Sequence, residues 1–232
     1  MRLEIASYKA IKYACLNFHY SKAIPYASVG YSVFNENNEW CGVILFNRGN
    51  INAGKTYGCN IGEISELIRV ALNGKQKQTS KAVSLAVKLF KKSNPLCKIL
   101  VSYADTGQDH NGIIYQAMNW LYEGEIKPTR PKFKDVKGKI IHSRVAAKLK
   151  TNKVIENYDD IYTRVINTNK HRYTYPLHKC LIPLCKSLSK PYPKNAQEVN
   201  KDKHDAPCIE IGGSNPTLAL KITKREIREY GK

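Results

Sequence analysis

Between Ile64 and Asn119 the hydrophobic period of the sequence switches repeatedly, and few folds accommodate that. Ile64-Ser65-Glu66-Leu67-Ile68-Arg69-Val70-Ala71-Leu72 is a strand-length run of branched residues, followed by a polar loop from Asn73 to Thr79. Ser80 to Lys92 then repeats apolar residues at Ala82, Val83, Leu85, Ala86, Leu89 and Phe90, which is helical spacing. Lys98 to Tyr103 reads as a second buried strand and Gly112 to Trp120 as a second helix. This order predicts a β-α-β-α unit with a parallel strand pair, because parallel neighbours need a long crossover between them. Ligand sites in such units lie beyond the carboxyl ends of the strands. Those ends carry Arg69 inside the first strand, Asp105 just past the second, and Asp109-His110-Asn111-Gly112 after it. Glu66 and Arg69, three apart, point to opposite faces of a regular strand. A bulge between them would bring both to one face and splay the adjacent parallel strand.

Ahead of this unit, Leu3 and Ile5 alternate, and Ile11, Ala14, Cys15 and Phe18 fit one amphipathic helix. That helix ends at Phe18-His19-Tyr20-Ser21 before Ile24-Pro25, so His19 and Tyr20 sit at a helix terminus, as cap and packed ring or as site residues. Ala27 to Phe34 and Trp40 to Phe46 alternate on either side of Asn35-Glu36-Asn37-Asn38, a hairpin, while Asn47 to Asn60, with Gly49, Gly54 and Gly58, reads as a loop. Thr79 or Ser80 caps the helix that follows the polar loop. Its free N–H groups, with Lys75, Lys77 and Lys81 nearby, suit a phosphate, although the same residues also describe an ordinary capped helix with a solvated basic flank. The loop lacks G-K-[ST], which argues against a nucleoside triphosphatase. Tyr115 and Trp120 ride the second helix at core spacing.

Composition bears on the partner. Lys and Arg number 38 against 19 Asp and Glu, a net charge of +19, and residues 127–232 hold 24 of those bases with 10 acids. Thr129-Arg130-Pro131-Lys132-Phe133-Lys134, a short helix opening at Ser143-Arg144 and ending near Lys150, and a strand at His171-Arg172-Tyr173-Thr174-Tyr175 interleave bases with rings. Charges that meet phosphates beside rings that stack on bases predict a nucleic-acid surface at Arg130, Lys132, Lys134, Arg144 and Arg172. No apolar run is long enough to span a bilayer and the amino terminus carries no signal core, so a cytoplasmic protein without a membrane partner is expected. The seven cysteines form no C-x-x-C pair, which speaks against a zinc ribbon, and Cys180 and Cys185 are the closest two. Residues 1–194 are expected to form one α/β domain with an embellished basic side, and 195–232 a loosely ordered tail with a short helix around Lys224 to Tyr230.

The element order resembles the N-acetyltransferase (GNAT) fold, in which a bulged central strand and the loop and helix after it grip the pyrophosphate of coenzyme A. A GNAT-like, mixed and centrally parallel sheet flanked by helices is therefore expected. Five ordered motifs, Phe18-His19-Tyr20-Ser21, Trp40 to Phe46, Glu66 to Leu72, Val101 to Asp105 and His110 to Ala117, resemble the Mom DNA-modification proteins of Mu-like phages; His171-Arg172-Tyr173 and Pro191-Tyr192-Pro193-Lys194 are similar to the same family. The resemblance implies conversion of adenine in DNA to its N6-carbamoylmethyl derivative, protecting phage DNA from host restriction. It implies His19, Tyr20, Arg69, Asp105 and Tyr115 as catalytic residues and Asn73, Gly74, Ser80 and Lys81 as the seat of an acyl-CoA-type donor such as acetyl-CoA. Because N6 is bonded to a methylene carbon in that product, iron held by His19, Asp105 and a Tyr is a candidate cofactor. The rival expectations are a GNAT N-acetyltransferase acting on a protein or small-molecule amine, and a DNA-binding protein without catalysis.

Overall fold

The computed structural model describes residues 1–49, 51–127, 132–138, 140–142, 162–165 and 167–193. Arg130, Arg144, the expected Ser143 to Lys150 helix and everything expected of residues 195–232 lie outside that range.

In chain order the elements are β1 (Arg2–Ile5), α1 (Tyr8–Asn17), β2 (Val29–Phe34), β3 (Trp40–Arg48), α2 (Ile51–Thr56), β4 (Ile64–Leu72), α3 (Thr79–Ser93), β5 (Ile99–Asp105), α4 (Ile113–Gln116), β6 (Leu121–Ile126), β7 (Lys132–Asp135), β8 (Ile140–His142), β9 (Tyr162–Val165), β10 (Lys170–Pro176) and α5 (Ile182–Leu188). The main sheet has seven strands in the order β1-β2-β3-β4-β5-β10-β6, and β8-β7-β9 form a separate small sheet. Only β4 and β5 run parallel; the other neighbours are antiparallel. The centrally parallel expectation thus holds for one pair. The α3 crossover makes that pair, whereas antiparallel β1, β2 and β3 build one flank and the returning β10 slots between β5 and β6 on the other.

The expected bulge is present. The β3–β4 register steps from Leu45↔Arg69 to Phe46↔Leu67, which leaves Ile68 as the extra residue. Glu66 opposes Asn47 and Arg69 opposes Leu45, two apart on β3, so both share one face. The β4–β5 ladder ends at Leu67↔Ser102, and the strands part beyond it.

α3 buries Ala82, Val83, Ala86, Val87 and Phe90 against one face of the sheet, with Phe90 stacked on Phe46 at 4.5 Å between ring centroids. A ring of that size buried in full contributes roughly 1.5–3 kcal/mol. On the opposite face α1 sets Ala14 and Cys15 on Val43, Leu45 and Ala71, while α2 and α5 cover Ile64, Ile99 and Val101 through Ala53, Tyr57 and Cys185.

Three local expectations change. Residues 51–56, expected as loop, form α2, because burial of Ala53 and Tyr57 on Ile64 and Ile99 outweighs the glycine cost. The second helix shrinks to the single turn α4; Asn119 at φ +57° ends the turns after it and releases the chain into β6. Neither Thr79 nor Ser80 caps α3, whose N-cap is Gln78 with no side-chain cap, and the Thr79 hydroxyl is engaged by Gln76 Nε2 at 2.7 Å.

Candidate active site

Where β4 and β5 diverge, a cavity of about 500 Å³ opens. Phe18, His19 and Tyr20 wall it from the end of α1, Ile68 to Val70 from the bulge, Tyr103 to Asp105 from β5, and Asp109 to Tyr115 from the turn into α4. All five expected catalytic residues, His19, Tyr20, Arg69, Asp105 and Tyr115, line this one space. The turn that closes it depends on Gly112, at φ +71°, where an added Cβ would fall 2.3 Å from the Tyr173 ring. Tyr173 in turn donates its hydroxyl to the Asn111 carbonyl.

Asp105 is held by its own loop and by a distant one. Its Oδ1 accepts the Gly107 N–H at 3.0 Å and the Thr168 hydroxyl at 2.5 Å, and its Oδ2 faces the Tyr20 hydroxyl at 3.5 Å. The same distant loop is fastened by Thr106, whose N–H and hydroxyl both bond the Asn169 carbonyl. Thr168 presses so closely on Gly107 that a Cβ there would lie 2.2 Å from its methyl. Nothing in the local pattern of Asn167-Thr168-Asn169 marked it as part of the site, since its contact with Asp105 spans 63 positions.

Arg69 enters the cavity incompletely satisfied. One terminal nitrogen bonds the Ile68 carbonyl at 3.0 Å, while its Nε is buried without a partner. Among the described residues no carboxylate reaches it at ion-pair distance. A guanidinium so placed is a receptor for a carboxylate or phosphate oxygen.

His19 has a defined tautomer. The Ser21 backbone N–H donates to His19 Nδ1 at 3.1 Å, and a backbone N–H only donates, so the neutral ring carries its proton on Nε2. Burial, then the charges of Arg69, His110 and Lys22, push its pKa down to about 4, which keeps it neutral at pH 7. A neutral Nε2–H gives hydrogen bonds and takes no proton. The ring stacks on Tyr20 at 4.3 Å, and Tyr20 meets His110 edge-on at 5.4 Å. Burial, then the Asp105 charge, raises the Tyr20 pKa.

Tyr115 forms the inner end of the cavity. Since Ser102 Oγ lies 2.7 Å from both the Leu67 carbonyl and the Tyr115 hydroxyl, Ser102 donates to the carbonyl and Tyr115 donates to Ser102. Burial pushes its pKa up to about 12. Its hydroxyl therefore seals the apex of the splay at the last β4–β5 rung.

The iron expectation is not met by this donor set. A histidine that ligates through Nε2 normally donates from its other nitrogen to an acceptor, and His19 Nδ1 instead accepts an N–H. Among the described residues no group of three His, Cys, Asp or Glu could hold a metal ion.

Asn73, Gly74, Ser80 and Lys81 do not line the cavity. They stand at the far end of β4 and the start of α3, with Asn73 about 13 Å along the strand from Arg69. The loop turns through left-handed Gly74 and Lys77 and presents the uncapped α3 terminus. Of the expected DNA contacts, Lys134 is exposed on β7, Lys132 lies on the same strand, and Arg172 is a correction. Its guanidinium reaches inward to Glu123 at 2.5 Å, so its charge is spent inside the fold.

A single parallel pair that splays past a bulge, with a helix crossing from the loop after β4 and a cavity in the splay, defines a GNAT-like fold. The chain belongs to the Mom protein family, whose family model matches residues 1–194. Solved structures share the fold loosely. A Bacillus subtilis acetyltransferase in complex with CoA is 12% identical, with a TM-score of 0.43 over 76% of this chain and 98% of its own. A GNAT family acetyltransferase from Elizabethkingia anophelis with acetyl-CoA bound is 16% identical, with a TM-score of 0.41 over 76% and 97%. A spermidine/spermine N-acetyltransferase from Vibrio cholerae is 8% identical, with a TM-score of 0.42 over 75% and 91%. No curated protein matches. Among the described residues no helix is long and apolar enough to cross a membrane.

Proposed function

We propose that this chain modifies adenine in DNA at the exocyclic amine, giving the N6-carbamoylmethyl base and so protecting DNA from restriction. The observation that carries this reading is the convergence in one cavity of an anchored carboxylate, an unpaired guanidinium and a fixed imidazole N–H, in a chain of the Mom protein family. An exocyclic amine inside a duplex is out of reach, so the base enters the cavity extruded. Asp105, with Oδ1 anchored and Oδ2 toward the cavity, accepts the amine proton. Arg69 holds an anionic oxygen of donor or strand, and His19 Nε2–H fixes an acceptor atom of the base or the donor carbonyl. The Tyr20 ring, already against imidazole on one side, offers an edge of aromatic wall to the base.

For an acyl-CoA-type donor, the amide-rich start of α3 with Ser80 and Lys81, and the Asn73-Gly74 turn, would hold the phosphates while the reactive end lies in the splay. A thioester alone is activated at its carbonyl and would give an amide, so the carbamoylmethyl product requires a donor that already carries the carboxamide and a leaving group on its methylene carbon, displaced by N6 as the N6 proton passes to Asp105.

The test is mass analysis of nucleosides from the DNA of bacteria expressing the chain, beside an Asp105→Ala control. A carbamoylmethyl-adenosine mass present with the wild type and absent in the control is expected. Unmodified DNA from cells with abundant folded protein would overturn the reading.

A further inference from the structure

We propose that the exposed face of α1 and the loop after it form a track that holds the DNA strand bearing the target base and leads it to the cavity. This rests on the cavity being a base-modification site, and it adds a DNA surface outside the basic second half of the chain.

From Ile5 to Asn35 the sequence contains no Asp or Glu. Within it Lys9, Lys12 and Lys22 are exposed, and so are Tyr13 and Tyr26, by 54% and 81%. Lys9, Lys12, Tyr13 and Leu16 are three and four residues apart, so they form one stripe along α1, and all four are exposed. The buried side of the helix, Ala14 and Cys15, is fixed on the sheet. The stripe ends where Phe18, His19 and Tyr20 become the cavity wall. Tyr13 meets Phe18 edge-on at 5.6 Å, so rings continue from solvent to cavity without a gap. Beyond the wall the loop carries Lys22 and then Tyr26.

A helix that exposes rings and lysines with no carboxylate to pair them repels itself and gains nothing in isolation. A polyanion with stackable faces satisfies both groups, through counterion release at the lysines and stacking on the rings. The ten residues of α1 rise about 15 Å, close to four phosphates of a stacked strand. An anionic bilayer also attracts lysines beside rings, but Ala14 and Cys15 are committed to the core, and the exposed Tyr13 and Leu16 share one stripe with Lys9 and Lys12 instead of forming an apolar face of their own to insert.

The test uses the full-length chain with Lys9→Gln/Lys12→Gln, Tyr26→Ala and Tyr26→Phe, each with its thermal melt. Anisotropy of a fluorescein-labelled single-stranded oligonucleotide is followed over a salt series, with phosphatidylserine vesicles as a second probe. Removing two phosphate contacts should lower the log–log salt slope by about 1.4. Tyr26→Ala should weaken binding about tenfold and Tyr26→Phe should not. Wild-type affinity and slope in all variants would overturn the track, as would a loss of vesicle binding with oligonucleotide binding intact. Modified adenine in cells is measured on the same proteins. Unchanged binding alongside normal modification sinks only the track. Weakened binding in the variants with no modification even by the wild type keeps the surface and sinks the enzymatic reading.

Discussion

Two half-buried arginines of the main sheet, Arg69 on β4 and Arg172 on β10, have opposite surroundings. Arg172 belongs to a buried polar cluster centred on a carboxylate. Glu123, 1% exposed at its side chain, receives its guanidinium together with the hydroxyls of Tyr57 at 2.8 Å and Thr174 at 2.9 Å. Burial and then the Glu123 charge drive the Tyr57 hydroxyl far above its usual range, so it stays protonated and donates. The Nε of each arginine is buried without a partner, but Arg69 has only a backbone carbonyl and an open cavity around it, with no carboxylate at ion-pair distance among the described residues. A buried charge that folding has paired serves the fold, whereas one left unpaired at a cavity is kept for something that arrives later.

The sharpest way to break this contrast is to remove each charge. Arg69→Gln should cut modified adenine a hundredfold or more while leaving the denaturation midpoint near wild type, since it deletes a cation that no carboxylate pairs; the two readouts are nucleoside mass analysis and urea unfolding. Arg172→Ala should do the reverse. It strands Glu123 and should cost about 3–5 kcal/mol in the same unfolding curves, with activity per folded molecule largely kept, and Glu123→Gln in addition should recover part of the loss. Equal stability costs at the two positions would end the distinction.

A smaller effect tests how the site carboxylate is held. Thr168→Val should lower modification about tenfold through a looser Asp105, Thr168→Ser should restore it, and oligonucleotide affinity should not change in either. Serine and valine behaving alike would show that Thr168 acts by filling space.

The smallest effect is a pH dependence. The folded-state pKa of His19 lies near 4, below the usual 6.5, so between these values the unfolded chain binds the extra proton. Its contribution to stability is therefore intact above about pH 6.5 and is lost as pH falls toward 4. Glu66, whose pKa burial raises, pulls the other way, so the comparison is between wild type and His19→Gln. The stability difference between the two should shrink in favour of the variant on acidification, and a difference flat across that window would contradict the buried neutral ring.

Much of this was legible in the sequence. The periods of Ile64 to Leu72, the α3 repeat and the Ile99 strand fixed the β4-α3-β5 unit, because side-chain periodicity is a local property of backbone geometry. The three-residue spacing of Glu66 and Arg69 left opposite faces or a bulge open, and the resemblance to the GNAT fold implied the bulge that the β3–β4 register shows. The five catalytic candidates that the family resemblance implied meet in one cavity because Arg69 lies at the β4 bulge, Asp105 at the end of β5, Tyr115 in α4, and His19 and Tyr20 just past α1.

Tertiary structure alone decided the rest. It made α2 from a glycine-rich segment by burying Tyr57, placed β10 between β5 and β6, and brought Thr168 to Asp105. It also separated Arg172 from Arg69, two residues that local pattern cannot tell apart, by supplying Glu123 from β6 across 49 positions of chain. Periodicity reports which face a residue occupies. Whether a charge on that face finds a partner depends on strands that meet only after the chain has folded.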